Sequence, residues 1–243
     1  MWLDLFKKGP DNSIEDDALT IRRECDRAAQ AIKTRLSKLP ADKTLFVPIG
    51  ENHAMPSHII LQMCLFDNLR KAGLNFGVAL EYPSNWITTC SLTLLREDPQ
   101  TKNFTVADAK TVIDAELAVD PLTHRLLYAA AFLSPTPYAP HTNATLMNYL
   151  NKYRIPIAFV DAAADESNCL DDSDTETKRA IEEAEIATGL KTRGKVTFSI
   201  DDRLGMAARN IHMQRLSSRF ADRLQMARVV FILTGNAHVL GVP

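Results

Sequence analysis

The sequence predicts an α/β fold whose core is a mainly parallel β-sheet of about four or more strands flanked by helices. Four short apolar runs rich in β-branched and aromatic residues alternate with longer segments of helical period. Each apolar run is followed by glycine or by an acidic residue, which is typical of a buried strand leaving a sheet. With 243 residues, the chain is long enough to bury a sizeable core.

The first part of the chain contains two predicted helices and two predicted strands. Ile14–Leu39 carries apolar residues at helical spacing. Thr44–Gly50 reads as a buried strand, and its Pro48 favours the last turn of the strand or an edge position because proline cannot donate to a central ladder. Pro56–Ala72 is a helix opened by proline, and Asn75–Leu80 is the second strand.

A helical insertion at about 84–141 separates the second strand from the third. It contains a capping-box sequence that opens a helix over Thr105–Leu117, and a second helix follows over Pro121–Phe132. Because the segment is far longer than a minimal crossover, we expect it to cover a site.

The last part of the chain returns to alternating helices and strands. The predicted elements in this part are Thr142–Tyr153 (helix), Ile155–Val160 (strand), Thr175–Thr188 (helix), Ile200–Ala227 (helix) and Val229–Leu233 (strand). We expect an N-terminal arm and helix at 1–43, followed by a single α/β domain at 44–243 that contains the insertion.

Composition excludes several classes of protein. A net charge of −2 gives no reason to expect nucleic acid as a partner. No stretch of 18 apolar residues is present, so no membrane span is predicted, and the N-terminus lacks the apolar core of a cleaved signal peptide. We therefore expect a cytoplasmic protein, or an effector secreted without a cleaved signal; the oligomeric state is left open. The four cysteines form no CxxC motif.

Polar residues follow each predicted strand. The first strand leads into Gly50-Glu51-Asn52-His53, the second into Glu81-Tyr82, the third into Asp161 and the fourth into Gly235-Asn236-Ala237-His238. In open parallel sheets ligands bind beyond the carboxyl ends of the strands, so we expect these groups to share one site. We also expect Gly50 and Gly235 to provide a positive φ or a close backbone approach where the strands turn.

These residues, together with Arg209-Asn-Ile-His-Met213 in a helix, resemble the erythromycin-esterase/ChaN-like superfamily, which includes the Tiki proteases and a Ras/Rap1-specific toxin peptidase. The family pattern is Gly-Glu-x-His, a strand-end Glu, an Arg-Asp/Asn-x-x-Met helix motif and Gly-x-x-His, in this order. The resemblance implies that Glu51, His53, Glu81 and His238 line an active site. It also implies that Arg209 contacts a carboxylate or a substrate oxyanion.

The expected chemistry is hydrolysis of an ester or a peptide bond, in a small molecule or a protein, by activated water. Glu51 or Glu81 would be the general base, and His53 or His238 would protonate the leaving group or stabilise the oxyanion, assisted by Arg209. The residues expected to bind substrate are Tyr82, Asp161 and Asn236. There is no Gly-x-Ser-x-Gly motif, so a covalent serine nucleophile is not expected.

Three alternatives remain open at this stage. His53, Glu81 and His238 could hold a divalent metal with an open position for water. The chain could instead bind haem, with Tyr82 offering an axial ligand, although a packed aromatic is the preferred interpretation. A catalytically degenerate effector that binds a partner protein is the third. Separately, Arg215, Arg219 and Arg223 lie on one predicted helix face, which we expect to meet the acidic segment 161–185.

Overall fold

A computed structural model describes residues 14–51, 56–84, 146, 149–150, 152–163, 169–190, 202–224, 226–235 and 238. Within these residues the elements, in chain order, are α1 (Ile14–Lys38), β1 (Leu45–Glu51), α2 (Pro56–Lys71), β2 (Gly77–Pro83), β3 (Ile157–Asp161), α3 (Thr175–Thr188), α4 (Arg203–Arg223) and β4 (Val229–Gly235). The α/β class is confirmed. Beyond Ser84, the predicted insertion lies outside the described residues.

The four strands form one parallel sheet in the order β1-β4-β2-β3. The last strand of the chain is therefore inserted between the first two. Pro48 lies on the edge strand β1, as the sequence predicts. All strands are parallel, so their carboxyl ends meet at one edge of the sheet. Glu51, Glu81, Asp161 and Gly235 therefore lie at this carboxyl edge.

Strand β2 runs further than the sequence predicts. Its pairing with β3 is regular as far as Leu80, and the register then shifts so that Pro83 is opposite Asp161. This irregularity is a β-bulge, which changes the direction of side chains at a strand end. Glu81 therefore lies inside the strand β2, and with Tyr82 it forms the irregular stretch between Leu80 and Pro83.

The two helices that follow β3 begin at aspartate caps. Asp174 accepts a hydrogen bond from Thr177 N–H at 2.8 Å, and Asp202 accepts one from Gly205 N–H at 2.6 Å. Helix α3 ends at Gly189, which has a φ of 68°. Its bounds agree with the prediction, whereas α4 is shorter than the predicted Ile200–Ala227 because the Asp202 cap sets its start.

Helix α4 packs on one face of the sheet and brings its residues to the site. The buried side chains shared by helix and sheet are Ala79, Val160, Met213, Ala221 and Val230. Gly77 allows the close approach, since a Cβ there would lie 2.9 Å from Phe220 and from Leu224. Arg209 lies about one helical turn before Met213, and its guanidinium contacts Glu81 and Asp161 at the carboxyl edge of the sheet.

The chain divides into two compact units. The first comprises Met1–Pro40, His53–Asn75 and Leu94–Arg154, and the second comprises Ala41–Asn52, Phe76–Thr93 and Ile155–Pro243. Within the first, α1 and α2 are joined by a hydrogen bond from Asn68 Nδ2 to Asp26 Oδ1 at 3.0 Å. The second contains the whole sheet. In the part of the chain that the structure describes, no helix is long and apolar enough to cross a membrane.

Candidate functional site

Glu81 lies at the centre of a polar cluster at the carboxyl edge of the sheet. Its Oε2 accepts hydrogen bonds from the Thr234 hydroxyl at 2.6 Å and from the Gly235 N–H at 2.5 Å. Its Oε1 accepts from Arg209 Nη2 at 2.5 Å and faces His238 Nε2 at 3.1 Å. Both carboxylate oxygens therefore have two partners each, and these four positions use the accepting capacity of the group.

Arg209 is held by two carboxylates. Its Nε and Nη2 donate to the Asp161 oxygens at 3.0 Å and 2.7 Å, which is the two-pronged geometry of a strong arginine–carboxylate pair. Burial alone would lower the pKa of Arg209, but the hydrogen bonds and negative charges of Asp161 and Glu81 outweigh it and raise the pKa. The guanidinium thus stays charged and neutralises one of the two buried carboxylates.

Asp161 is occupied by protein contacts. Beside the Arg209 fork, its Oδ1 accepts a hydrogen bond from the N–H of Ala162 at 2.8 Å. The residue is only 7% exposed. These contacts make Asp161 a support for Arg209, and they leave little of its surface for the substrate contact that the sequence led us to expect.

His238 is contacted on both ring nitrogens. Nε2 faces Glu81 Oε1 at 3.1 Å, and Nδ1 lies 2.6 Å from Asn210 Oδ1. Each ring nitrogen therefore lies within hydrogen-bond distance of one side-chain oxygen. The ring is buried, with 4% of its side chain exposed, whereas Asn210 is exposed at the surface of α4.

Glu51 ends the neighbouring edge strand. It lies in register with Gly235, whose N–H donates to Glu81, while Gly50 is in register with Thr234. Strand β4 lies between β1 and β2 in the sheet. Glu51 and Glu81 therefore lie on either side of the end of β4.

Tyr82 packs against an aromatic neighbour. Its ring is tilted against that of Phe159, with centroids 5.1 Å apart, in agreement with the packed-aromatic interpretation. Tyr82 is half-buried. His53 and Asn236, which were predicted at the site, lie outside the described residues, and their position stays a prediction.

The expectation of positive φ at the strand-end glycines is wrong. Gly50 and Gly235 continue β1 and β4 in extended conformation, and among the described glycines positive φ occurs at Gly73 and Gly189. Gly235 contributes its backbone N–H to Glu81 instead. The close backbone approach to a functional group, which was the other reason given for glycine, fits this contact.

The basic stripe on α4 lies outside the cluster. Arg215 forms ion pairs with Glu176 and Glu183, and Arg219 pairs with Glu176 at 3.1 Å. The predicted contact between the basic face and the acidic segment is confirmed for these two arginines. The pairs are partly exposed and join α3 to α4.

Two members of the cluster were not selected from the sequence as site residues. Asn210 lies inside the Arg209–Met213 motif, directly after Arg209, whereas Thr234 directly precedes the Gly235–His238 motif. A hydroxyl or amide beside a motif residue is a weak signal alone. Their roles depend on β4 lying beside β2 and on the face of α4, and neither is visible in a single sequence.

The described part of the cluster is built for hydrogen bonding. Among the residues that the structure describes, no group of three histidine, cysteine, aspartate or glutamate side chains has the spacing of a metal site. Glu81 already accepts from three groups and faces His238 Nε2, so binding a cation would require exchange of a donor such as Arg209 or Thr234.

The comparisons with known proteins give weak likenesses. No protein-family model and no curated protein matches the chain. Matching solved structures include the type III effector HopBA1, at 15% identity over 78% of this chain and 65% of that one, with a TM-score of 0.30. RRSP, a MARTX toxin effector domain from Vibrio vulnificus CMCP6, matches at 18% identity over 81% of this chain and 28% of that one, with a TM-score of 0.31.

A third match is ChaN of Campylobacter jejuni, in a structure of cofacial haem binding. It has 15% identity over 79% of this chain and 71% of that one, with a TM-score of 0.26. The chain spans less than two thirds of the length of HopBA1 and of RRSP. At these TM-scores, the likenesses support no inference about activity.

Proposed function

We propose that the protein is a hydrolase of ester or peptide bonds in the erythromycin-esterase/ChaN-like superfamily, with its active site at the carboxyl edge of the sheet. The observation that carries the proposal is the buried Glu81–His238 pair, in which Arg209 contacts the carboxylate and Asn210 contacts the imidazole. Isolated carboxylates and imidazoles are costly to bury, so a braced group of this kind favours a chemical role. The order of the sequence motifs supports the superfamily.

The contacts of Glu81 favour different roles for Glu81 and Glu51. Because its four acceptor positions are filled, Glu81 is poorly placed to take a proton from water and well placed to orient His238. Glu51 is then the general base. With His238 on the Glu81 side, the scissile bond would lie across the end of β4, near Gly235.

The proposed reaction is a direct attack by water. Glu51 accepts one proton from water, and the resulting hydroxide adds to the acyl carbon. His238 gives up its contact with Glu81 and donates its Nε2 proton to the leaving alcohol or amine as the acyl bond breaks, and the proton on Glu51 is returned to Nε2 through solvent. Arg209 and Asp161 hold Glu81, so their contribution is electrostatic preorganisation of the pair.

The test is a panel of chromogenic esters and fluorogenic peptides assayed with the wild type and three variants. E51Q and H238A should each lose on the order of a hundredfold or more in kcat, because each removes a proton-transfer group. R219A, an exposed ion-pair residue on α4, should retain wild-type turnover. Hydrolysis by H238A at the wild-type rate would contradict the proposal.

The haem alternative makes a different prediction. A carrier would develop a Soret band when haem is added, and Y82F would weaken it if Tyr82 were an axial ligand. The hydrolase proposal expects no such band and expects Y82F to retain turnover, since the Tyr82 ring packs on Phe159. A Soret band in a chain that hydrolyses no ester or peptide would favour the carrier.

A further inference from the structure

Two consecutive residues of α4 hold the two halves of the Glu81–His238 pair. Arg209 Nη2 contacts Glu81 Oε1 at 2.5 Å, and Asn210 Oδ1 contacts His238 Nδ1 at 2.6 Å. Arg209 is buried, whereas Asn210 is exposed on the neighbouring helix face. A single turn of helix therefore fixes the spacing between the carboxylate and the imidazole.

The second contact changes what the histidine can do. An imidazole held through one nitrogen can swing about that hydrogen bond, whereas a partner on the other nitrogen fixes the ring plane. The partner also selects which nitrogens carry protons. Glu81 contacts Nε2 and Asn210 contacts Nδ1, so the ring is fixed from both sides.

We propose that Asn210 is a positioning residue, whose side-chain oxygen orients His238 and keeps a proton on Nδ1. The inference rests on the proposed hydrolase function, because it assigns His238 the role of proton donor. Asn210 acts through His238. Its exposed place on α4 means that its replacement leaves the packing of the helix on the sheet intact.

The chain offers a matched set of variants. N210L keeps the size of the side chain and removes the acceptor, whereas N210D keeps an acceptor oxygen at the same place. Gln214, one turn further along α4 and also exposed, provides the control variant Q214L. All three changes lie on a solvent-facing part of the helix, so circular dichroism should show the same fold in each.

The first readout is the imidazole N–H signals of His238 in proton-detected NMR, measured on the free protein at one pH. The signal is assigned by its loss in H238Q. The wild type, N210D and Q214L should show an Nδ1–H proton protected from exchange with water, and N210L should lose it. Retention of the protected proton in N210L, or its loss in N210D, would overturn the proposal.

The second readout is the split between kcat and KM on whichever ester or peptide the wild type hydrolyses. N210L should lower kcat on the order of tenfold with little change in KM, and N210D should restore it, since a residue that orients a catalytic group acts on the chemical step. Equal kcat in N210L and the wild type would contradict the positioning role. The NMR measurement needs no substrate, so it tests the positioning contact even if the protein hydrolyses no ester or peptide. The kinetic measurement tests the hydrolase proposal.

Discussion

Arg209 and Glu81 are joined by a contact of 2.5 Å between Nη2 and Oε1, although they lie 128 residues apart in the chain and both side chains are more than nine-tenths buried. The same guanidinium also donates hydrogen bonds to both Asp161 carboxylate oxygens. The pair links β2 to α4, and through Asp161 it also links β3. Arg209 therefore joins the site to the helix that packs on the sheet.

The first prediction concerns the loss of this guanidinium. R209M leaves two buried carboxylates without their cation, so the free energy of unfolding should fall by about 3–5 kcal/mol. The measurement is urea denaturation. R219A, which breaks an exposed pair, should cost about 1 kcal/mol or less.

A triple variant tests whether the stability lost in R209M comes from the two unpaired carboxylates. Adding E81Q and D161N to R209M removes the unpaired charges and should recover part of the lost stability. If R209M and R219A proved equally stable, the buried cluster would have no special electrostatic role.

The second prediction concerns Thr234. T234V keeps the shape of a buried residue and removes the hydroxyl that donates to Glu81 Oε2 at 2.6 Å. The free energy of unfolding should fall by about 1 kcal/mol, and turnover should fall less than in H238A, because Gly235 still donates to the same oxygen. T234S restores the hydroxyl and should recover turnover. Equal activity in T234V and the wild type would mean that the hydroxyl does not orient Glu81.

The third prediction concerns Cys25, which is buried in α1. Burial, with help from the negative charges of Asp26 and Glu24, raises the pKa of the thiol from 9.0 to about 12. In the native protein at pH 8, iodoacetamide should therefore modify the half-buried Cys64 and Cys169 well before Cys25. In urea the difference should disappear. Mass spectrometry of the labelled peptides gives the order.

The raised pKa of Cys25 makes the free energy of unfolding depend on pH. The unfolded thiol loses its proton near pH 9.0, whereas the folded thiol keeps it up to about pH 12, so the folded state binds more protons between these values. The contribution of Cys25 to stability is complete below pH 9.0 and is lost as the pH rises through this window. Denaturation at pH 8 and at pH 10.5 should show a steeper fall for the wild type than for C25A.

The fourth prediction concerns metal. Since Glu81 accepts from protein donors at all four positions, we expect hydrolysis to continue after dialysis against EDTA. The assay compares dialysed protein with and without added Zn²⁺, and elemental analysis accompanies it. Loss of turnover that Zn²⁺ restores would instead favour the metal alternative with His53, Glu81 and His238 as ligands.

The sequence predicts the elements of this fold well because they depend on local signals. Helix α3 keeps its predicted bounds since Asp174 caps its start and Gly189 its end. The ends of β2 and α4 depend on longer contacts. Glu81 stays in β2 because the pairing with β3 resumes after the bulge, where Pro83 is opposite Asp161, and that pairing partner is about eighty residues away.

The site is predictable in its strand-end residues and unpredictable in its contacts. Strand ends place Glu81 and Asp161 at one edge in any parallel sheet. The strand order β1-β4-β2-β3 is needed to put Thr234 of β4 beside Glu81 of β2. The same order places β4 between Glu51 and Glu81. The role of Asn210 depends on the angle of α4, which is set by packing around Gly77 and Phe220.

The most direct test of the central claim is the turnover of H238A and E51Q against R219A, on the ester or peptide that the wild type hydrolyses fastest. Circular dichroism and denaturation midpoints establish that all variants are folded. We predict a loss on the order of a hundredfold or more in kcat for H238A and for E51Q, with R219A unchanged. Wild-type turnover by folded H238A would contradict the claim that the carboxyl edge of the sheet is the active site.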